Sequence, residues 1–154
     1  MNNIKVRCID CHIAFINGGN PEYLILKRSN AKRYPNIWQS VTGKIELNEK
    51  PIDAAIRETK EETSLIPKKI WSIDTINYYY DPKNNIMNLI PVFGMLVNTK
   101  NIKLSDEHQA FKWLKIEAAK DKLLWNQQKK GISNFHSLLQ KPNCKKSEIL
   151  EIKF

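Results

Sequence analysis

Apolar positions fall into short blocks along the first third of the chain, with turn signals between them. Residues 4–16 read as a first strand. Asn17-Gly18-Gly19-Asn20-Pro21 marks a turn, and Tyr23 to Arg28 reads as the returning strand. A polar loop covers Ser29 to Asn36. Trp38 to Gly43 is a short extended segment that ends in glycine. Over residues 49–63 the period changes: Ile52, Ala55, Ile56 and Thr59 recur at i, i+3, i+4 and i+7, which predicts a helix. Asn48 is its expected N-cap, Pro51 suits the first turn, and Pro67 marks the stop. Strands are expected at 69–80 and 86–97, around the turn Asp81-Pro82-Lys83-Asn84-Asn85, and at 110–114. Helices are expected at 115–124 and 126–140. The Lys-rich residues 141–154 are expected to be loosely held. Strands with interspersed helices and no visible linker predict one α/β domain over 1–154.

Composition narrows the class. The 154 residues are 42% apolar and 27% charged, which excludes collagen-like, mucin-like and wholly disordered chains. No apolar run reaches about 18 residues, so no membrane span is expected. Twenty-five Lys and Arg against 16 Asp and Glu give a net charge of +9, which favours a polyanionic partner. The basic residues are spread along the chain, without the aromatic-interleaved stripe of a nucleic-acid surface. Three cysteines and an N-terminus without a long apolar stretch predict a reduced, cytoplasmic protein. Cys8 and Cys11 form a CxxC, but on a strand i and i+3 point to opposite faces, and no second pair completes a zinc site.

The chemistry concentrates between Gly43 and Leu65. On a helix Glu58, Glu61 and Glu62 span an arc of roughly 100°, away from the apolar face. Such carboxylates repel by a few tenths of a kcal/mol per pair, on the order of what i,i+4 like charges show. A solvated acidic face is one reading. A hard divalent cation, Mg2+ or Mn2+, is the other, and it takes its remaining ligands from water and substrate phosphates. Arg57 is placed to pair with Glu49 or Glu61 and hold the helix to the loop.

The full spacing decides between them. Gly43-x5-Glu49-x7-Arg57-Glu58-x2-Glu61-Glu62 resembles the Nudix box, the signature of hydrolases of nucleoside diphosphates linked to another moiety. The resemblance implies an α/β/α sandwich with a mixed sheet, and a loop–helix–loop that binds Mg2+ or Mn2+. By it, Glu58, Glu61 and Glu62 are metal ligands, joined by the Gly43 carbonyl, while Glu49 and Arg57 support each other within the catalytic group. The reaction it implies is attack of water on a phosphorus of a diphosphate bridge, with a glutamate taking the proton. Two positions depart from the pattern: Thr59 replaces a bulky aliphatic residue, and Ser64 replaces a glycine.

Trp38-Gln39-Ser40-Val41-Thr42-Gly43, the stretch Glu107 to Leu114, and Trp125 resemble the dihydroneopterin triphosphate pyrophosphatases of folate synthesis, also described as dATP pyrophosphohydrolases. That likeness implies Glu107 as a further metal and substrate ligand. Arg28 and Thr42 fall on substrate-contacting positions, as does Lys5 if an insertion precedes Tyr23. The expected substrate is the pterin triphosphate, cleaved to the monophosphate and pyrophosphate. The alternatives are dATP or another nucleotide, a dinucleoside polyphosphate, or a non-catalytic RNA-binding module. Trp38, Tyr78, Tyr79 and Tyr80 are candidate ring platforms, though strand aromatics more often pack in cores. His12 and His136 receive no role, and His108 is notable only as the neighbour of Glu107. A monomer or homodimer is expected, with no membrane or nucleic-acid partner.

Overall fold

Strand β2 (Cys8–Phe15) carries apolar side chains toward both faces, and the structure buries it at the middle of the sheet. The computed structural model describes residues 3–154. In chain order the elements are β1 (Ile4–Lys5), β2, β3 (Glu22–Arg28), β4 (Trp38–Gln39), β5 (Val41–Lys44), α1 (Pro51–Thr63), β6 (Pro67–Asp81), β7 (Ile86–Val97), β8 (His108–Leu114), α2 (Ile116–Lys122), α3 (Asn126–Gln140), α4 (Lys145–Leu150) and β9 (Glu151–Ile152). β2 runs parallel to β7. On its other edge its first half pairs antiparallel with β5 and its last residues pair with β3. The sheet runs β4-β3-β2-β7-β6-β9, with β8 on β3 and β1 on β7. It is mixed, as expected.

Alternation along β2 divides the core. Ile9, Cys11 and Ile13 face α1, packing with Ala54, Ala55, Phe93 and Met95. Ala14 faces the opposite side, where α2 and α3 bury Tyr23, Trp71, Ala119, Phe135 and Leu138. Two adjacent alanines on α1 let the helix approach the sheet closely. Helices on both faces complete the α/β/α sandwich.

Several boundaries differ from the sequence reading. The strand expected over 4–16 is broken at Val6-Arg7, because β1 pairs with β7 while β2 shifts its edge to β5. Asn48 is not the N-cap. It sits in a turn at φ +63°, and Lys50 caps α1 without a side-chain bond. The helix stops at Thr63 because Ser64 turns left-handed at φ +63°, its N–H donating to the Lys60 carbonyl at 2.8 Å; Pro67 opens β6 instead. The segment expected to be loose is folded. Trp71 Nε1 donates to buried Ser147 of α4 at 3.2 Å, Lys146 pairs with Asp74 at 2.8 Å, and Ile152 lies beside Ile70. Lysine content hid one buried serine and one apolar strand residue. Cys11 is buried in the α1-side core, where loss of water raises its thiol pKa far above the usual range.

Ser64 occupies a conformation that suits glycine. Ser64→Gly is expected to stabilise the fold by about 1 kcal/mol, the order of the left-handed penalty for residues with a Cβ. The midpoint of urea unfolding reads it, and an unchanged or lower midpoint contradicts it.

Candidate active site

Helix α1 places its carboxyl groups by burying the opposite face. Ala54, Ala55 and Thr59 are sealed against the sheet. The Thr59 hydroxyl donates to Met95 Sδ at 3.5 Å, so threonine serves here where the box has a larger aliphatic. Thr63 Oγ1 donates to the Thr59 carbonyl and accepts from Leu65 N, which firms the last turn. Glu58 then lies across β5 at Gly43. A Cβ on residue 43 would overlap the Glu58 carboxyl group, so the glycine is needed for this approach.

Arg57 binds the acidic loop to the helix. Its Nε and Nη2 donate to the two oxygens of Glu49 at 2.8 and 3.0 Å, a bidentate pair. Nη2 also reaches the Lys44 carbonyl at 2.8 Å, and Nη1 reaches Glu58 at 2.9 Å and Glu61 at 3.2 Å. The sequence left Glu49 and Glu61 as alternative partners; the structure uses both. The Glu46 amide adds a bond to Glu49 at 2.8 Å. Arg57, and secondarily that amide, hold the Glu49 carboxyl down at about 2.

Glu62 has the opposite environment. It is 2% exposed, and its Oε2 lies 3.0 Å from His108 Nε2. Burial, then the charges of Glu58 and Glu107, push its carboxyl from 4.5 up to about 9. Burial also brings His108 down to about 4, so its ring is neutral near pH 7. Strand β8 delivers His108 opposite Arg28, beside a register shift in β3. Ser29 N bonds the Glu107 carbonyl at 3.0 Å, and Lys32 Nζ is 3.4 Å from Glu107 Oε1.

Donor atoms of Glu62, Glu107 and His108 lie within 4.8 Å of one another. Closely set carboxyl oxygens that raise each other's proton affinity fit a hard divalent cation. Because Nε2 of His108 is already engaged by Glu62, the imidazole orients that carboxyl group. Glu58 borders this group, whereas Glu61 is more exposed and turned to Arg57.

The other expected residues are distributed as follows. Arg28 sits near Glu62 and opposes its rise in pKa, but its Nε donates to the Arg33 carbonyl at 2.8 Å and so also secures the loop over 29–36. Thr42 is paired with Asp10, on the α3 face of the sheet. Lys5 is exposed on β1, in register with Asn88 on that same face, and is not brought beside the Glu62 group. Trp38 packs into the α3-side core, with Lys27 and Lys112 at 6.0 and 5.6 Å from its ring. Tyr78, Tyr79 and Tyr80 are exposed. Trp125 is also exposed and meets Tyr34 edge to face, with centroids 6.3 Å apart. Two features escaped the sequence reading: the bond of His108 to Glu62, and a buried polar group around Asp10. The available signal for the second was an aspartate inside an apolar strand.

The model of the NUDIX domain family matches residues 10–135. The chain belongs to that family. The expected fold family and enzyme class of this Nudix chain are thereby borne out. It is 30% identical over 124 residues to the asymmetrical bis(5′-nucleosyl)-tetraphosphatase of Mus musculus, covering 77% of this chain and 80% of that one. It also matches 115 residues of an octanoyltransferase from Myxococcus xanthus at 30% identity, 72% of this chain but only 32% of that protein's length. Among solved structures, the dihydroneopterin triphosphate pyrophosphohydrolase of E. coli superposes with a TM-score of 0.66 at 23% identity, over 86% of this chain and 99% of that one. Among the described residues no helix is long and apolar enough to cross a membrane.

The raised pKa of Glu62 fixes a sign. A carboxyl group that binds its proton more tightly when folded stabilises the protein at low pH and loses that contribution as pH rises from 4.5 through about 9. In a chelator, Tm is expected to fall across this window. Glu62→Gln should flatten the fall, and Mg2+ should raise Tm in wild type but not in the variant. A thermal-shift series over pH checks this, and a flat wild-type profile in chelator contradicts it.

Proposed function

We propose that this Nudix chain is a divalent-metal pyrophosphohydrolase whose substrate is dihydroneopterin triphosphate, released as the monophosphate and pyrophosphate. The observation that carries the hydrolytic reading is the buried Glu62 carboxyl, set beside Glu58 and Glu107 with its nearest bonded partner a neutral histidine. Glu58, Glu61, Glu62 and Glu107, with the Gly43 carbonyl, would hold Mg2+ or Mn2+. When bound there, such a cation neutralises charge on the phosphate oxygens and lowers the pKa of a bound water. Arg57 keeps Glu49, Glu58 and Glu61 in one arrangement, so the group is set before substrate arrives. Arg28 at the end of β3, and Lys32 on the loop beside Glu107, supply positive charge for the phosphate chain. A glutamate of the group takes the proton from the attacking water.

The motifs flanking the box and the similarity to the E. coli pyrophosphohydrolase support the pterin substrate. A second reading, a dinucleoside polyphosphate, is favoured by the likeness to the mouse tetraphosphatase and by the exposed Tyr34–Trp125 pair, which offers faces for a second ring. The three cysteines are free, which suits a reducing cytoplasm.

Product analysis with the pterin triphosphate, dATP and a dinucleoside tetraphosphate side by side separates these readings. The pterin triphosphate is expected to have the highest kcat/KM, and a large preference for either nucleotide defeats that choice. Glu58→Gln, Glu62→Gln and Glu107→Gln are each expected to lower kcat by about 10²–10⁴ with the fold retained, on the order of losing an acid–base or metal-holding group. A folded Glu62→Gln protein with full activity would contradict the assigned role.

A further inference from the structure

The start of β8 carries one residue more than the strand it pairs with. Lys27 of β3 lies opposite Ala110 and Arg28 opposite His108, leaving Gln109 between them as the extra residue of a β-bulge. A bulge re-aims the side chain it carries, and bulges gather beside active sites. His108 is buried and turned to Glu62 at 3.0 Å. Gln109, the next residue, is exposed and turned instead to the loop that follows β3.

The Gln109 amide fastens that loop at its neck. Its Nε2 donates to the Arg28 carbonyl at 2.8 Å and to Asn36 Oδ1 at 2.6 Å, one bond at each end of the segment. Both hydrogens of the NH2 are thereby used, and turning the amide would set its oxygen against two acceptors. The Arg28 carbonyl also accepts from Asn36 N at 3.2 Å, and Arg28 N donates to the Ile37 carbonyl at 3.0 Å. Residues 30–36 are all exposed, and Tyr34 and Asn36 stand at φ +55° and +65°, a left-handed region that residues with a Cβ enter at a cost. A loop with few buried contacts opens readily unless its hydrogen bonds close it.

What the loop carries gives this fastening its use. Ser29 N bonds the Glu107 carbonyl, and the closed loop brings Lys32 Nζ to 3.4 Å from Glu107 Oε1, at the edge of the acidic group. The two side chains are 41% and 45% exposed, so their pairing is too weak to set the loop by itself. The ammonium can leave the carboxylate for a phosphate oxygen at small cost, provided that the backbone stays in place. We propose that Gln109 is a positioning residue for the substrate's phosphate chain. It locks the loop over 29–36 so that Lys32 stands ready beside Glu107. The proposal rests on the pyrophosphohydrolase reading for the presence of that chain, and it gives the bulge in β8 a part in holding it.

Gln109→Met keeps the length of the side chain and removes both donated bonds. With the substrate that the wild type turns over fastest, KM is expected to rise about tenfold while kcat stays within about twofold, on the order of two lost hydrogen bonds that act on binding. Affinity for Mn2+ without substrate, read by calorimetry, should stay within about twofold. Asn36→Gly keeps the left-handed backbone and removes one of the two acceptors, so alone it should raise KM about threefold. The double variant should match Gln109→Met, at about tenfold, because both changes break the same bond. In limited trypsin digestion, cleavage after Lys32 and Arg33, read by mass spectrometry, should run about tenfold faster in Gln109→Met than in wild type. An unchanged KM, a loss of kcat or of Mn2+ affinity as large as the rise in KM, additive effects in the double variant, or equal cleavage overturns the proposal. Absence of hydrolysis by the wild type overturns the pyrophosphohydrolase reading and this proposal with it. An active Gln109→Met protein with unchanged KM and unchanged cleavage overturns this proposal alone.

Discussion

Negative charge confined near the end of α1 is the constraint around which the rest is organised. Arg57 spreads its five donors over Glu49, Glu58, Glu61 and the Lys44 carbonyl, which disposes of the charge on the loop side. Glu62 lies beyond its bonds. It is buried, flanked by Glu58 and Glu107, and keeps its proton well above the ordinary range. A carboxyl group in that state is a poor contributor to the stability of the empty fold and a strong potential ligand. The same arrangement that weakens the protein alone prepares it to hold a cation.

That arrangement depends on close backbone approach. Ala54 and Ala55 bring α1 down onto β2, and Gly43 leaves room for the Glu58 carboxyl group above β5. The remaining members come from far along the chain. β8 pairs with β3 and sets His108 opposite Arg28, and Ser105 N bonds the Glu62 carbonyl at 3.2 Å. The end of α1 and the start of β8 are therefore tied by backbone as well as side chains, and a change in the β3–β8 register would move Glu107 and His108 away from Glu62 together.

Local signals were readable in the sequence, whereas signals that depend on register were not. Helix 126–140 matches α3, and the box spacing located α1 and its carboxyl groups, because helical period and turn residues act within a few positions. The roles of Asn48 and Pro67 were misread, because the chain used a left-handed turn and a bare cap where side chains suggested an N-cap and a stop. His108 was set aside because its partner lies 46 residues earlier, at a distance no spacing rule reaches. Residues 141–154 looked loose because their lysines outweigh Ser147 and Ile152, which do the docking.

Strand β5 joins two groups of polar side chains on opposite faces of the sheet. Successive residues of a strand point to opposite sides, so Thr42 is turned to Asp10 beneath α3 while the backbone at Gly43 meets Glu58 from α1. β5 has only four residues and pairs with β2 along one edge. The glycine that admits the carboxyl group and the threonine that faces the buried aspartate are adjacent, so a shift of this one strand would disturb both groups together. The same short strand thus meets the acidic helix on one face and the buried polar group around Asp10 on the other.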